Sequence, residues 1–121
     1  MSGAPRSGYR SLTAWQRAMD LVDAVYDASD GWPQREVFAL TSQVRRAVVS
    51  VASNIAEGVG WSGKREYAHH ISIAHGSLLE TETLLTIARR RGSIDTATEE
   101  NLLRASAEVG RLLNGLYRSL Q

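Results

Sequence analysis

The sequence predicts an all-α protein, an up-down-up-down antiparallel four-helix bundle, on three observations. Its two prolines, Pro5 and Pro33, stand only where a helix is beginning or absent. Glycines cluster at Gly3/Gly8, Gly31, Gly58/Gly60/Gly63 and Gly92 and divide the chain into four long segments. Within those segments apolar residues recur every three or four positions, with none of the period-two alternation of a strand. Short connections then make consecutive helices antiparallel neighbours.

Residues 1–11 read as a flexible tail and residues 12–121 as a single bundle domain. The first helix starts at "TAWQ", where Thr13 and Gln16 fit a capping box, and runs to about Ser29. Its core face is Trp15, Ala18/Met19, Val22 and Val25/Tyr26, with Asp20, Asp23 and Asp27 as an acidic edge. Pro33 suits the first turn of a second helix that extends to about Gly58. "GVGWSGK" is the next turn, with Ser62 as the cap of the third helix. That helix carries Tyr67, Ile71, Ala74, Leu78, Thr81, Leu85 and Ala88 in alternating steps of four and three, the seam of a bundle. It stops at Gly92. "TATE", Thr96 to Glu99, reads as a capping box opening the fourth helix, which buries Leu102, Val109, Leu113, Leu116 and Leu120. Arg104, Arg111 and Arg118 stack on its opposite side.

The second helix has more faces than a monomeric bundle needs. At 100° per residue, Val37, Leu40, Val44, Val48, Val51 and Ile55 form the core face. A second apolar strip, Phe38, Val49, Ala52 and Ala56, lies roughly a third of a turn away. Polar Gln43, Arg46, Ser50, Asn54 and Glu57 line the other flank. The third helix repeats the pattern, with Ile73, Leu84 and Ile87 beside its seam, interleaved with Glu66, His70, Ser77 and Glu80. Two apolar stripes on one helix imply burial on two sides. The expected interface residues are Phe38, Val49, Ala52, Ala56, Ile73 and Leu84, and the expected state is a homo-oligomer.

Composition narrows the function. A chain 43% hydrophobic and 22% charged is not disordered, and a net charge of +1 points to no polyanion by bulk electrostatics. Lys64 is the single lysine among 14 basic residues, a bias that follows codon composition or favours phosphate contacts. Without cysteine there is no disulfide, zinc-thiolate site or thiol nucleophile. "MSGAPRSGYRS" lacks the apolar stretch of a signal peptide, and no apolar run is long enough to span a membrane, so a cytoplasmic location is expected.

No catalytic or metal constellation emerges, and neither an enzyme nor a cofactor is expected. Glu66 and His69 in "EYAH" match the Glu-x-x-His unit of di-iron bundles, but no second copy exists. His70 and His75 flank the seam without sharing a face at ligand spacing, and the serines lack a triad. "GVGWSGK" follows a helix and makes a poor phosphate loop. Among basic features, Arg89–Arg91 end a helix where positive charge complements its dipole. Arg104, Arg111 and Arg118 are the candidate nucleic-acid contacts, because an oligomeric ring would repeat them as a band, although Glu108 lies close by.

"LTAWQRAMDLVDAVY", "WPQREVFALTSQVRRAVVSVASNIAEG", "KREY" and "IAHGSLLETETLLTIARRRG" together resemble a four-helix-bundle family. Its first members were encoded by intervening sequences in bacterial large-subunit ribosomal RNA genes. The resemblance spans about Leu12 to Leu120. It implies a small cytoplasmic bundle that assembles as a homopentamer, without known catalytic activity. A related branch comprises the accessory variability determinants of diversity-generating retroelements, pentameric barrels that bind a reverse transcriptase and nucleic acid through basic surfaces. This chain departs from that branch in being nearly neutral. The motif positions are Gln43, Arg46, Ser50, Asn54, Glu57, Gly58, Gly76, Ser77 and Glu80. Their implied role is structural: a polar ladder between the second and third helices or between subunits, with Arg46 paired to Glu80. Gly58 would be the left-handed residue ending its helix, and Gly76 would permit close packing.

Two function classes follow. One is a non-enzymatic oligomeric scaffold with a protein partner. The other is an RNA- or DNA-binding accessory factor serving a ribosome or a reverse transcriptase.

Overall fold

Four helices make the molecule: α1 (Thr13–Ser29), α2 (Ser42–Val59), α3 (Lys64–Arg90) and α4 (Thr96–Ser119). The structure, a computed structural model, describes residues 8–61 and 63–121, with the side chains of all of these except Val37 and Phe38. Among the described residues there is no strand. α2 packs between α1 and α3, and α4 closes the square against α3 and α1.

The seam of α3 is as its periodicity predicts. Ile71, Ala74, Leu78, Thr81, Leu85 and Ala88 are buried, and Tyr67 is half-buried at the end, where desolvation pushes its phenol pKa up. Thr81 sits in this apolar row because its hydroxyl donates to the Ser77 carbonyl 2.8 Å away, which satisfies it locally. The facing residues are Val44, Val48, Val51 and Ile55 of α2 and Leu102, Val109 and Leu113 of α4, all buried.

α1 is rotated from its predicted face. Ala14, Ala18, Leu21 and Val25 are buried, while Trp15, Met19 and Val22 are half-buried and Tyr26 is exposed. Small Ala14 and Ala18 let the backbones approach closely, and the bulky aromatic is displaced to the flank. Part of the predicted tail docks there too: Tyr9–Ser11 form a 3-10 turn, with the Tyr9 ring edge-on to Trp15 at 5.2 Å. Residues 1–7 and Ser62, the expected cap of α3, lie outside the described residues.

Both predicted capping boxes are replaced. Leu12 precedes α1 without a side-chain cap, and Gln16 instead donates to the Arg10 carbonyl at 2.9 Å. Asp95 caps α4, accepting from the Thr98 backbone N–H at 2.8 Å, and that bond holds its carboxyl below the usual range. Glu99 is thereby freed for tertiary work: it is 8% exposed and accepts from Arg89 Nε at 2.8 Å and Thr86 Oγ1 at 2.9 Å.

The second helix does not begin at Pro33 as one continuous helix. Gln34–Glu36 form a 3-10 turn and Val37–Thr41 a π-helical turn before α2 proper. A tight turn followed by a wide one re-aims the chain into the bundle, and Trp32, predicted as loop, is buried. Gly58 is also not the left-handed terminator. The only described positive-φ residues are Gly8 and Gly92, and Gly92 (φ 82°) ends α3, where Ser93 N–H reaches the Ala88 carbonyl at 2.8 Å.

Candidate functional site

The predicted polar stripe of α2 runs along the junction with α3, and part of it joins the two helices. Asn54, one turn after Ser50, donates through Nδ2 to the Ser50 carbonyl at 2.9 Å and to Ser50 Oγ at 3.0 Å. The Ser50 hydroxyl is 2.9 Å from that of Ser77 on α3. Asn54 Oδ1 is 3.1 Å from His70 Nδ1, and Trp61 Nε1 donates to His70 Nε2 at 3.0 Å. An indole can only donate, so Nε2 accepts and the imidazole proton sits on Nδ1, aimed at Asn54. The Trp61 and His70 rings also stack, with centroids 6.3 Å apart. Sequence reasoning found every member of this chain except Trp61, which it read as turn.

Close helix approach makes the chain of bonds reachable, and Gly58 supplies it. A Cβ at Gly58 would lie 3.0 Å from His70 Cβ and 3.1 Å from Tyr67 Cδ1. The glycine is therefore held by proximity, inside the helix, and not by a left-handed turn.

The remaining stripe residues behave differently. Gln43, Arg46, Glu57 and Glu80 are exposed. Arg46 bonds Ser42 Oγ at 3.1 Å, not Glu80, so the expected Arg46–Glu80 pair does not form within the chain. Glu57 approaches His70 Nδ1 at 3.8 Å. The arginine that does engage is Arg45, which the sequence did not single out. It donates to Ser29 Oγ at 2.8 Å, Asp30 Oδ1 at 2.9 Å and the Tyr26 carbonyl at 3.3 Å, with its guanidinium 4.5 Å from the Tyr26 ring centroid. Its signal was the aromatic and Asp30 at the end of α1, which become neighbours only once the hairpin closes.

Of the predicted interface residues, Val49 and Ile73 are exposed, each 39%, and Ala56 is half-buried. Ala52 and Leu84 are buried inside the chain and drop out of any free surface; the Phe38 side chain lies outside the described residues. Val49, Ala52 and Ala56 face an apolar cleft of about 250 Å³ walled by Trp15, Met19 and Val22 of α1. Through Val49 and Ser53 it continues into an open groove of about 640 Å³ along α2. On the outward face of α3, Gly76 has nothing beyond its own helix backbone within 4 Å of where a Cβ would be among the described residues.

Glu66 and His69 are exposed on α3, and among the described residues no group of three His, Asp or Glu side chains gathers in a metal-holding arrangement. No described helix is long and apolar enough to cross a membrane. Arg104, Arg111 and Arg118 are exposed on α4; Arg104 donates to Asn101, and none of the three pairs with a described carboxylate.

The fold is shared with a solved structure. A protein with unknown function from the S23 ribosomal protein family of Bacteroides thetaiotaomicron superposes with a TM-score of 0.78 at 19% identity, covering 87% of this chain and 98% of its own. No curated protein matches the sequence. The model of the 23S rRNA-intervening sequence protein family matches residues 10–115. Nearly all of the bundle, from the turn before α1 to the last turns of α4, lies in that match, and the chain belongs to the 23S rRNA-intervening sequence protein family.

Proposed function

We propose that the protein is a non-enzymatic scaffold that works as a homo-oligomer, with five copies in a ring. The observation that carries this reading is the outward face of α2. There Val49, Ser53 and Ala56 border the apolar cleft of about 250 Å³ against α1, and Val49 and Ser53 open it into the polar-rimmed groove of about 640 Å³, which no described segment fills. Small residues let a second helix approach closely, and Gly76 offers the same on α3. An exposed mid-helix glycine costs about 1 kcal/mol relative to alanine, which a subunit contact would offset. The partner that the scaffold presents is a protein, held in the cytoplasm.

The test is the mass in solution. The chain weighs 13.3 kDa, and light scattering at micromolar concentration should return a multiple of that. Val49→Glu places a charge on the exposed strip and should shift the mass to a monomer while circular dichroism stays helical. Ala52→Glu is a poorer probe, because Ala52 is buried against α1 and its loss would unfold the subunit. A wild-type monomer overturns the reading.

A second reading, nucleic-acid accessory factor, is favoured by one observation: Arg104, Arg111 and Arg118 lie on one exposed line of α4, and none of them pairs with a carboxylate among the described residues. A ring would repeat them as a basic band. Binding of RNA or DNA should then fall steeply between about 50 and 200 mM salt. Replacing all three arginines with glutamine should flatten that dependence without loss of helicity. Equal slopes for wild type and triple variant remove the band from consideration.

A further inference from the structure

Between the N-terminal half of α3 and the C-terminal half of α4 lies a second cleft, unconnected with the α2 surface. Its inner part, about 200 Å³, has Ile71 and Leu113 as an apolar floor, both about 1% exposed. Ser72 and His75 rise from α3, and Asn114 and Tyr117 from α4. Among the described residues, none of these four side chains has a hydrogen-bond partner, although together they offer donors and acceptors around one small space. Tyr117 is 38% exposed and stands at the lip, leaving a ring face available. The cleft opens directly into a wider trough, which shares Ser72 and Tyr117 with it and adds Lys64, Arg65 and His69. No acidic side chain lines either part. On α4, Arg111 and Arg118 stand three residues before and four after Asn114, on the adjoining helix flank.

We propose that this cleft binds one nucleotide unit, with the base in the inner cleft and its phosphate at Lys64 and Arg65. The volume is well below that of a drug-sized pocket, so the occupant is a single ring system and not an extended ligand. An apolar floor with unpaired amide, hydroxyl and imidazole groups at the rim suits a planar heterocycle that carries polar edges. Tyr117 supplies the stacking face, as aromatic side chains do for unpaired bases. Cations within the same trough select a ligand with an anion next to the ring. The source favoured is an unpaired nucleotide of an RNA or DNA strand, because Arg111 and Arg118 continue the cationic path beyond the cleft. A free mononucleotide shares the chemistry and is a separate arm of the test. The proposal extends the second reading above, but the cleft itself is built of different residues.

The experiment uses the full chain at 50 mM salt. A labelled oligouridylate is titrated by fluorescence anisotropy and adenosine monophosphate by calorimetry. Wild type, Tyr117→Ala, Tyr117→Phe, Asn114→Asp, the Lys64→Gln/Arg65→Gln double variant and the Arg104/Arg111/Arg118 triple glutamine variant are compared, with circular dichroism confirming the fold. Tyr117→Ala should weaken binding roughly tenfold and Tyr117→Phe should retain it, since the ring face persists. Asn114→Asp, an exposed substitution that sets a negative charge in the inner cleft against an anionic ligand, should weaken it as well, so the proposal stays testable if Tyr117→Ala unfolds. The double variant should reduce the salt slope for the oligonucleotide by about 1.4, two phosphate contacts' worth. Mononucleotide binding without oligonucleotide binding would support the cleft as a free-nucleotide site. Oligonucleotide binding that the triple variant abolishes but Tyr117→Ala, Asn114→Asp and the double variant leave intact would overturn the cleft and leave the band. No binding of either ligand would overturn both.

Discussion

Gly58→Leu should destabilise the bundle by about 3 kcal/mol, the upper end of the range for overpacking a close-packed site. At 3.0–3.1 Å, an added Cβ already meets His70 Cβ and Tyr67 Cδ1, and the Tyr67 carbonyl lies 3.3 Å away. The Tyr67 ring can turn aside, but His70 Cβ and the Tyr67 carbonyl are fixed to the α3 backbone, so full relief requires the two helices to separate. Separation would also stretch the His70–Asn54 and Ser50–Ser77 bonds, adding unsatisfied polar groups to the steric loss. Gly58→Ala is the informative control. Its helix-propensity gain of about 1 kcal/mol opposes the same clash, so its effect should be small. Thermal melts at matched protein concentration check both, with a drop of roughly 10 °C for leucine. An unchanged melting temperature for Gly58→Leu would show that α2 and α3 are not held this close.

The second large effect belongs to the contact between α3 and α4. Arg89→Ala leaves the Glu99 carboxylate 8% exposed with Thr86 as its remaining partner. Stranding a fully buried charge costs about 3–5 kcal/mol; the Arg89 side chain is itself 36% exposed, so water moderates the loss to about 1–3 kcal/mol. Glu99→Leu should be far milder, because it removes the carboxylate and leaves Arg89 to solvent. The double variant Arg89→Ala/Glu99→Leu should therefore be more stable than Arg89→Ala alone. Chemical denaturation of the three proteins measures this, and a double variant less stable than Arg89→Ala would mean that lost packing, not a stranded charge, sets the cost.

How far the sequence revealed this molecule depended on the range of the interaction. Six of the seven predicted α3 seam residues are buried because the seam follows from helical period alone; Tyr67 at its end is half-buried, and Leu84, read as outward, joins the core. The α1 face was misjudged, since size suggested Trp15 where close approach selects Ala14 and Ala18. Thr13 and Thr96 have the chemistry of caps, but capping depends on where the chain enters the helix, and Asp95 wins at α4. Ser50, Asn54, Ser77 and His70 were found by spacing and motif, whereas Arg45 and Trp61 acquire partners only through tertiary closure. The α3–α4 cleft was invisible for the same reason. Its residues come from segments about forty positions apart, and no period links them.

The bonds from Ser77 through Ser50, Asn54 and His70 to Trp61 also settle a question that apolar contacts leave open. Valines, alanines and leucines on facing helices offer similar burial if one helix slides along the other by a turn, about 5.4 Å. Hydrogen bonds are less forgiving, because a slide of that size exceeds their whole working range. Any such shift would break the Asn54–His70 and Ser50–Ser77 pairings. The polar line thus fixes the longitudinal alignment of the hairpin, much as a single buried asparagine fixes the alignment of a coiled coil. Whatever surface α2 and α3 present outward is then presented at one spacing only.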